Sequence, residues 1–206
     1  MATFRAPYLP MPRIRAAADA FREKYWAGKG VPVDVLGIAE FDLGMEIRPV
    51  TSMREQADVD ALLLGDMKTI AVDSGLYMDD RMQNRLRYSV AHEIGHKELH
   101  AGIYRAAGMS SVEEWIDWFQ SMPEDQYSWL EQHAYEFAGR LLVPPERLNA
   151  EFAGAVEKAK KAGFASWDSS GDAAREYIAN SICRVFGVSG QVIEKRIDRE
   201  GLWPPD

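Results

Sequence analysis

The sequence predicts an α+β fold in which a small β-sheet is combined with a mostly helical core. Its 206 residues, of which 47% are hydrophobic and 27% charged, suffice to bury a sizeable core. Apolar residues recur at helical spacing in the long stretches 80–100 and 126–143, which indicates two long amphipathic helices. Two short apolar runs, 60–65 and 68–73, flank Asp66-Met67, the pattern of a β-hairpin with a short turn.

We predict a single domain over residues 1–206, divided into three parts by sequence pattern. Residues 1–30 form a proline-containing N-terminal extension and a first helix. Residues 31–145 form a core with the small sheet and both long helices. Residues 146–206 form the C-terminal helices, because Pro144-Pro145 ends the second long helix and presets the start of the next.

Composition limits the classes of function. The net charge of −8 argues against direct binding of nucleic acid through phosphate neutralisation. The N-terminus lacks a continuous apolar segment and no stretch approaches the ~18 apolar residues of a membrane span, so a cytoplasmic location is expected. The one cysteine, Cys183, excludes an internal disulfide. The oligomeric state stays open.

The segment His92-Glu93-x-x-His96 lies within the first long helical stretch and predicts a metal site. Residues four apart lie one above the other on a helix, so both imidazoles can bind one Zn²⁺ at about 2.0 to 2.1 Å. Glu93 between them is placed to take a proton from an attacking water molecule. Val90 and Ile94 belong to an apolar stripe that buries the opposite side of this helix.

A third protein ligand is needed, because catalytic zinc usually has three. His100 stands about 12 Å along the helix from His92 and is too far away to share the ion. Glu131 and His133 on the second long helix are the candidates, and they point about 200° apart. Glu131 shares its face with Ala134, where a neighbouring helix can approach closely. This favours Glu131, and His133 is the alternative ligand.

Two blocks of the sequence, in this order, resemble the ImmA/IrrE metallopeptidases. The blocks are Arg87-x-Ser89-x-Ala91-His92-Glu93-Ile94-Gly95-His96 with Leu99-His100, and Glu131-x-x-Ala134-x-x-Phe137-Ala138-x-x-Leu141-Leu142-x-Pro144. Phe186-Gly187-Val188-Ser189 resembles the usual family ending, so the likeness runs from about Val31 to the C-terminus. The chain has Tyr135 where the family commonly has Asn or Asp, and Val143 where it commonly has Met.

This resemblance implies a zincin-like metallopeptidase core and a cytoplasmic zinc endopeptidase. Its implied substrate is a helix-turn-helix transcriptional repressor that controls stress, phage or mobile-element genes. The residues themselves indicate metal-assisted amide hydrolysis, with His92, His96 and Glu131 holding zinc and Glu93 moving the proton. Tyr135 and His100 are candidates for a supporting role beside the ligands.

Two other functions fit the same pattern. One is a zinc-containing regulatory protein that cleaves nothing and sequesters a repressor or an antitoxin-like partner. Glu93 argues against it, since a site that only holds metal has no use for this base. The other is a zinc hydrolase that acts on a small molecule, which the likeness to peptidases disfavours.

Overall fold

The computed structural model describes residues 6–164 and 167–205, with the side chains of 167–170 excepted. Its α-helices are α1 Met11–Trp26, α2 Val35–Gly37, α3 Met53–Ala57, α4 Ser74–Met78, α5 Gln83–Ala107, α6 Val112–Gln120, α7 Glu124–Leu142, α8 Pro145–Lys161, α9 Trp167–Phe186 and α10 Gly190–Arg199. Its strands are β1 Glu46–Val50, β2 Ala61–Leu63 and β3 Thr69–Asp73. A π-helical turn, Ile38–Asp42, and a 3₁₀ turn, Asp80–Met82, complete these elements. The predicted α+β fold class is confirmed.

The sheet has the strand order β1-β3-β2. β2 and β3 form the predicted antiparallel hairpin, with Leu63 opposite Ile70. In the turn between them, the Asp66 carboxylate accepts hydrogen bonds from the backbone N–H groups of Lys68 and Thr69 at 2.8 and 2.9 Å. β1 lies parallel to β3 on the other side. β2 is therefore an edge strand, and it packs against α5.

The helices α5 and α7 form the main helix pair of the core. They approach closely at Gly95, where a Cβ atom would lie 3.2 Å from the Cα atom of Ala134. This confirms the predicted close approach along the alanine face of α7. Close approach matters because it brings short side chains of the two helices within reach of one another.

Several element boundaries differ from the predicted ones. α5 continues past His100 to Ala107, and its backbone leaves helical geometry at His100 itself, with φ −125° and ψ 15°. Apolar residues at helical spacing over 31–41 also predict a short helix there, but α2 begins only at Val35, where the Asp34 side chain accepts a hydrogen bond from the N–H of Gly37. These differences arise because caps and kinks depend on individual side-chain contacts, whereas periodicity reports only the helix interior.

Arg87 connects α5 to two loops that are distant in sequence. Its Nε donates to the carbonyl oxygen of Gly187 at 3.2 Å, and its Nη2 donates to the carbonyl oxygen of Val33 at 2.6 Å. Burial lowers the pKa of this guanidinium, against the effect of the Asp34 charge. The loops before α2 and α10 are thus both held on the helix that carries His92 and His96.

A buried ion cluster joins α10 to α7 and α1. Arg196 is 2% exposed, and its Nη1 donates to Glu136 Oε1 at 3.0 Å. Glu136 also accepts from Arg15 Nε at 2.7 Å and from Arg199. Burial raises the pKa of the Glu136 carboxyl, but the charges and hydrogen bonds of the arginines lower it by more, so the net shift is downward. The C-terminal helix is therefore held by ionised, hydrogen-bonded side chains as well as by apolar packing.

None of the helices in the described part of the chain is both long enough and apolar enough to cross a lipid bilayer.

Candidate metal centre

The side chains of His92, His96 and Glu131, which could together hold a metal ion, meet at the contact of α5 and α7. The two imidazole Nε2 atoms lie 3.0 Å apart. The Glu131 carboxylate faces both, with 3.2 Å from Oε2 to His92 Nε2 and 3.2 Å from Oε1 to His96 Nε2. Ligands held at 2.0 to 2.1 Å around a tetrahedral ion lie about 3.3 Å from one another. The separations of these donor atoms fit a divalent metal ion.

The two histidines favour the ionised form of the Glu131 carboxylate, which is the form that binds a metal ion. Burial raises the pKa of Glu131, but hydrogen bonds and charge from His92 and His96 lower it by more, so the net shift is strongly downward. Burial lowers the pKa of His92, and the hydrogen bond with Glu131 reverses this into a net rise. The pKa of His96 falls, because burial outweighs its hydrogen bond with Glu131. A cation held by this set would replace the protons that these groups now share.

Glu93 lines the same cleft as the three candidate ligands, but its hydrogen-bond partner belongs to the β-sheet. It is 4% exposed, and its carboxylate accepts a hydrogen bond from the backbone N–H of Leu63 in β2. Burial raises the pKa of the Glu93 carboxyl to about 8, and the Glu131 charge adds to the rise, while His92 and the Leu63 N–H oppose it. A carboxyl with its pKa near neutrality can both take up and release a proton.

A cleft of about 730 Å³ gives access to these residues. One side is formed by residues 58–61, which lead into the edge strand β2, and the other by side chains of α5, α6 and α7. Residues 189, 191 and 192 at the start of α10 also line it. Trp115 of α6 lines the cleft while only 7% exposed, so this residue packs into the core, as aromatic residues at helical spacing usually do.

His133, the alternative third ligand, is turned away from the three donor atoms. Its Nδ1 lies 3.2 Å from His100 Nε2, and His100 Nδ1 lies 3.0 Å from His96 Nδ1. Both rings are buried, with His133 3% and His100 1% exposed. Burial, followed by the nearby histidines, lowers the pKa of His100 to about 2, which keeps this ring neutral.

Tyr135 lies beside the ligands on the solvent side. Its ring centroid is 4.5 Å from that of His92, and its side chain is about half exposed at 48%. Its backbone carbonyl accepts a hydrogen bond from the hydroxyl of Tyr88 at 3.3 Å. The structure thus places Tyr135 against the candidate ligand His92, whereas His100 contacts the candidate ligand His96.

Tyr127 is a site residue that sequence reasoning missed. It lines the cleft and makes a side-chain hydrogen bond with Glu131, one helical turn further along α7. Burial, and then the Glu131 charge, raise the pKa of its hydroxyl, so the phenol stays protonated and donates. Phe119 packs edge-on against its ring at 3.9 Å between centroids. The spacing of four residues from Glu131 was the available signal.

Comparison with known proteins adds one finding to this geometry. The family model Peptidase_M78, described as the IrrE N-terminal-like domain, matches residues 76–198, a span that includes α5, α7 and every candidate ligand. No curated protein and no solved structure shows a significant match to the chain. The predicted kinship with the ImmA/IrrE proteins is confirmed. The chain belongs to the Peptidase_M78 family of IrrE N-terminal-like domains.

Proposed function

We propose that this protein is a zinc-dependent endopeptidase. Membership of a peptidase family supports peptide-bond hydrolysis, and the three donor atoms could hold a metal ion. The observation that carries the proposal is Glu93, a buried carboxyl that reaches the same cleft as the metal-binding side chains without being one of them. A site that only stores metal gains nothing from this fourth group, whereas hydrolysis requires it.

The donor set supports zinc as the metal. Two histidines and one carboxylate form a common ligand set of catalytic zinc, which leaves one position for water or substrate. Mn²⁺ can take its place in such a set. Zinc held there supplies Lewis acidity, which polarises a peptide carbonyl and makes water acidic enough to attack at neutral pH.

The remaining steps belong to this chain's own residues. Glu93 takes a proton from the attacking water and later delivers it to the nitrogen of the leaving amine. The Leu63 N–H holds the carboxylate in place between these two transfers. Tyr127 holds Glu131 through its hydroxyl, and Tyr135 covers the His92 ring. Trp115 lines the cleft from the α6 side, and its ring stacks on that of Phe119.

The proposed substrate is a transcriptional repressor with a helix-turn-helix domain, in the cytoplasm. The likeness to the ImmA/IrrE proteins supports this substrate class. The net charge of −8 is consistent with a protein that acts on a DNA-binding partner, which carries basic residues, and not on DNA itself. Cleavage would then release genes for stress, phage or mobile-element functions.

The test is an incubation of the protein with any helix-turn-helix repressor encoded next to it. The reaction contains Zn²⁺ or a chelator, and mass spectrometry identifies the fragments. We expect one or a few defined cuts that require the metal and that Glu93→Gln slows at least about 100-fold. Relief of repression by wild type and Glu93→Gln alike, without any fragment, would replace the enzyme by a sequestering regulatory protein.

A further inference from the structure

All four histidines of the chain form one continuous line of imidazole rings. His92 and His96 meet through their Nε2 atoms at 3.0 Å. His96 and His100 meet through their Nδ1 atoms at 3.0 Å, and His100 Nε2 meets His133 Nδ1 at 3.2 Å. Each separation is a hydrogen-bond distance. The line begins at the candidate metal ligands and ends on α7, two residues after Glu131.

When all rings are neutral, the three rings of His96, His100 and His133 admit only two orders of protons. A neutral imidazole carries one N–H, so each ring donates from one nitrogen and accepts at the other. If His96 is protonated on Nδ1, it donates to His100, which must then carry its proton on Nε2 and donate to His133. If the order is reversed, His133 donates from Nδ1, His100 donates from Nδ1, and His96 carries its proton on Nε2.

Only the first order leaves a lone pair on His96 Nε2. A metal ligand needs that lone pair, and Nε2 is the atom of His96 that faces Glu131 and His92. The tautomer of His133 is therefore coupled to the ability of His96 to bind metal. The coupling passes through His100 and involves no change of net charge.

We propose that His100 and His133 are positioning residues that fix the tautomer and the orientation of His96 for metal binding; this rests on the metal site of the proposed function. His133 is the terminal acceptor that holds His100 with its proton on Nε2. His100 in turn offers Nδ1 as the acceptor for the His96 proton. Partners of this kind commonly set the affinity of a site for its metal.

The backbone of α5 gives independent support. Its helical geometry is interrupted at His100, with φ −125° and ψ 15°, at the residue whose ring contacts both His96 and His133. Because the backbone leaves helical geometry at this residue, the position of its ring is not set by the 3.6-residue repeat alone. α7 thus contributes twice, through Glu131 as a ligand and through His133 as the support of a ligand on α5.

Nitrogen-15 NMR of the full-length protein tests the proton order directly. The four histidines give four ring systems, whose shifts and couplings show which nitrogen carries the proton. With Zn²⁺ bound, we expect the protons of His100 and His133 on Nε2. A proton on Nδ1 of either ring in the zinc-loaded protein overturns the proposal. If the wild type binds no zinc at all, both this proposal and the proposed function fail. That outcome is distinct from a zinc-loaded protein in which the protons have the other order.

Three variants separate positioning from packing, with zinc affinity as the readout. His133→Phe keeps a ring and removes the acceptor, and it should weaken zinc binding about 10- to 100-fold. His133→Asn keeps a polar atom near the position of Nδ1 and should retain most of the affinity. Leu141→Ala, buried on the same helix, should lower thermal stability without changing affinity. Equal losses in both His133 variants, or none in His133→Phe, contradict the proposal.

Discussion

Gly95 and Ala134 touch through their backbones, because a Cβ on Gly95 would lie 3.2 Å from the Cα of Ala134. We predict that Gly95→Ala forces α5 and α7 apart, lowers the free energy of unfolding by about 1 to 3 kcal/mol and weakens zinc binding. Gly102→Ala is the matched control, since a Cβ there meets nothing within 4 Å. It should be neutral or stabilising by up to ~1 kcal/mol. Chemical unfolding and zinc titration measure both, and equal behaviour of the two variants would contradict the close-contact argument.

The position of the Glu131 carboxylate between the two imidazoles predicts a ranking of metal affinity. His92→Ala and His96→Ala should abolish stoichiometric zinc binding, and Glu131→Gln should weaken it by more than His133→Asn does. Calorimetric titration of each purified variant with Zn²⁺ provides the comparison. If His133→Asn proves the more damaging change, His133 is the third ligand and Glu131 is not.

Glu93 predicts how the stability of the metal-free protein depends on pH. Its pKa is raised from 4.5 to about 8 in the folded state, so the folded form binds the proton more tightly than the unfolded form. The stability of the folded form therefore falls as the pH rises from about 4.5 through about 8, by at most ~1.4 kcal/mol for each pH unit within that interval.

The side chain introduced by Glu93→Gln cannot ionise. The variant should therefore not lose stability through this group as the pH rises. We expect the variant to be more stable than wild type by on the order of 2 kcal/mol or more at pH 8, and by less than ~1 kcal/mol at pH 5. Urea unfolding of the chelator-treated proteins at both values is the measurement. Glu124→Gln, which removes an exposed carboxylate of α7, is the control for the loss of a surface charge. A gain that is equal at both pH values would show that Glu93 is not the titrating group.

The buried pair Arg196 and Glu136 predicts that replacing one partner lowers the free energy of unfolding more than replacing both. Arg196→Met leaves a buried carboxylate with fewer partners and should cost about 2 to 4 kcal/mol of unfolding free energy. Replacing both residues by apolar ones should cost less than Arg196→Met alone, because no buried charge is left behind. The control is Arg147→Met, which breaks an exposed i,i+4 pair with Glu151 and should cost no more than ~0.5 kcal/mol. Urea titration of the four proteins decides the order.

The parts of the site that follow local spacing were predictable from sequence. His92 and His96 lie one turn apart on a helix, and their Nε2 atoms are 3.0 Å apart in the structure. Glu131 was selected from its shared face with Ala134, the residue that contacts Gly95. Both predictions depend on helical periodicity, which a sequence displays directly.

The parts that depend on long-range contact were not predictable. The interruption of α5 at His100 breaks the periodicity that would place this ring, and the contact with His133 joins residues on different helices. The hydrogen bond from the Leu63 backbone to Glu93 requires β2 to lie against α5, which no spacing reveals. The parallel pairing of β1 with β3 is likewise set by how the intervening chain crosses the sheet.

The two hydrogen bonds of Arg87 differ in kind from the ion pairs on the protein surface. Their acceptors are the uncharged carbonyls of Gly187 and Val33. Concentrated salt screens charge–charge attraction, and mild acid neutralises carboxylates, but neither removes a carbonyl acceptor. The two loops should therefore stay attached to α5 at moderately acid pH and in concentrated salt, which weakens surface ion pairs such as Arg147–Glu151.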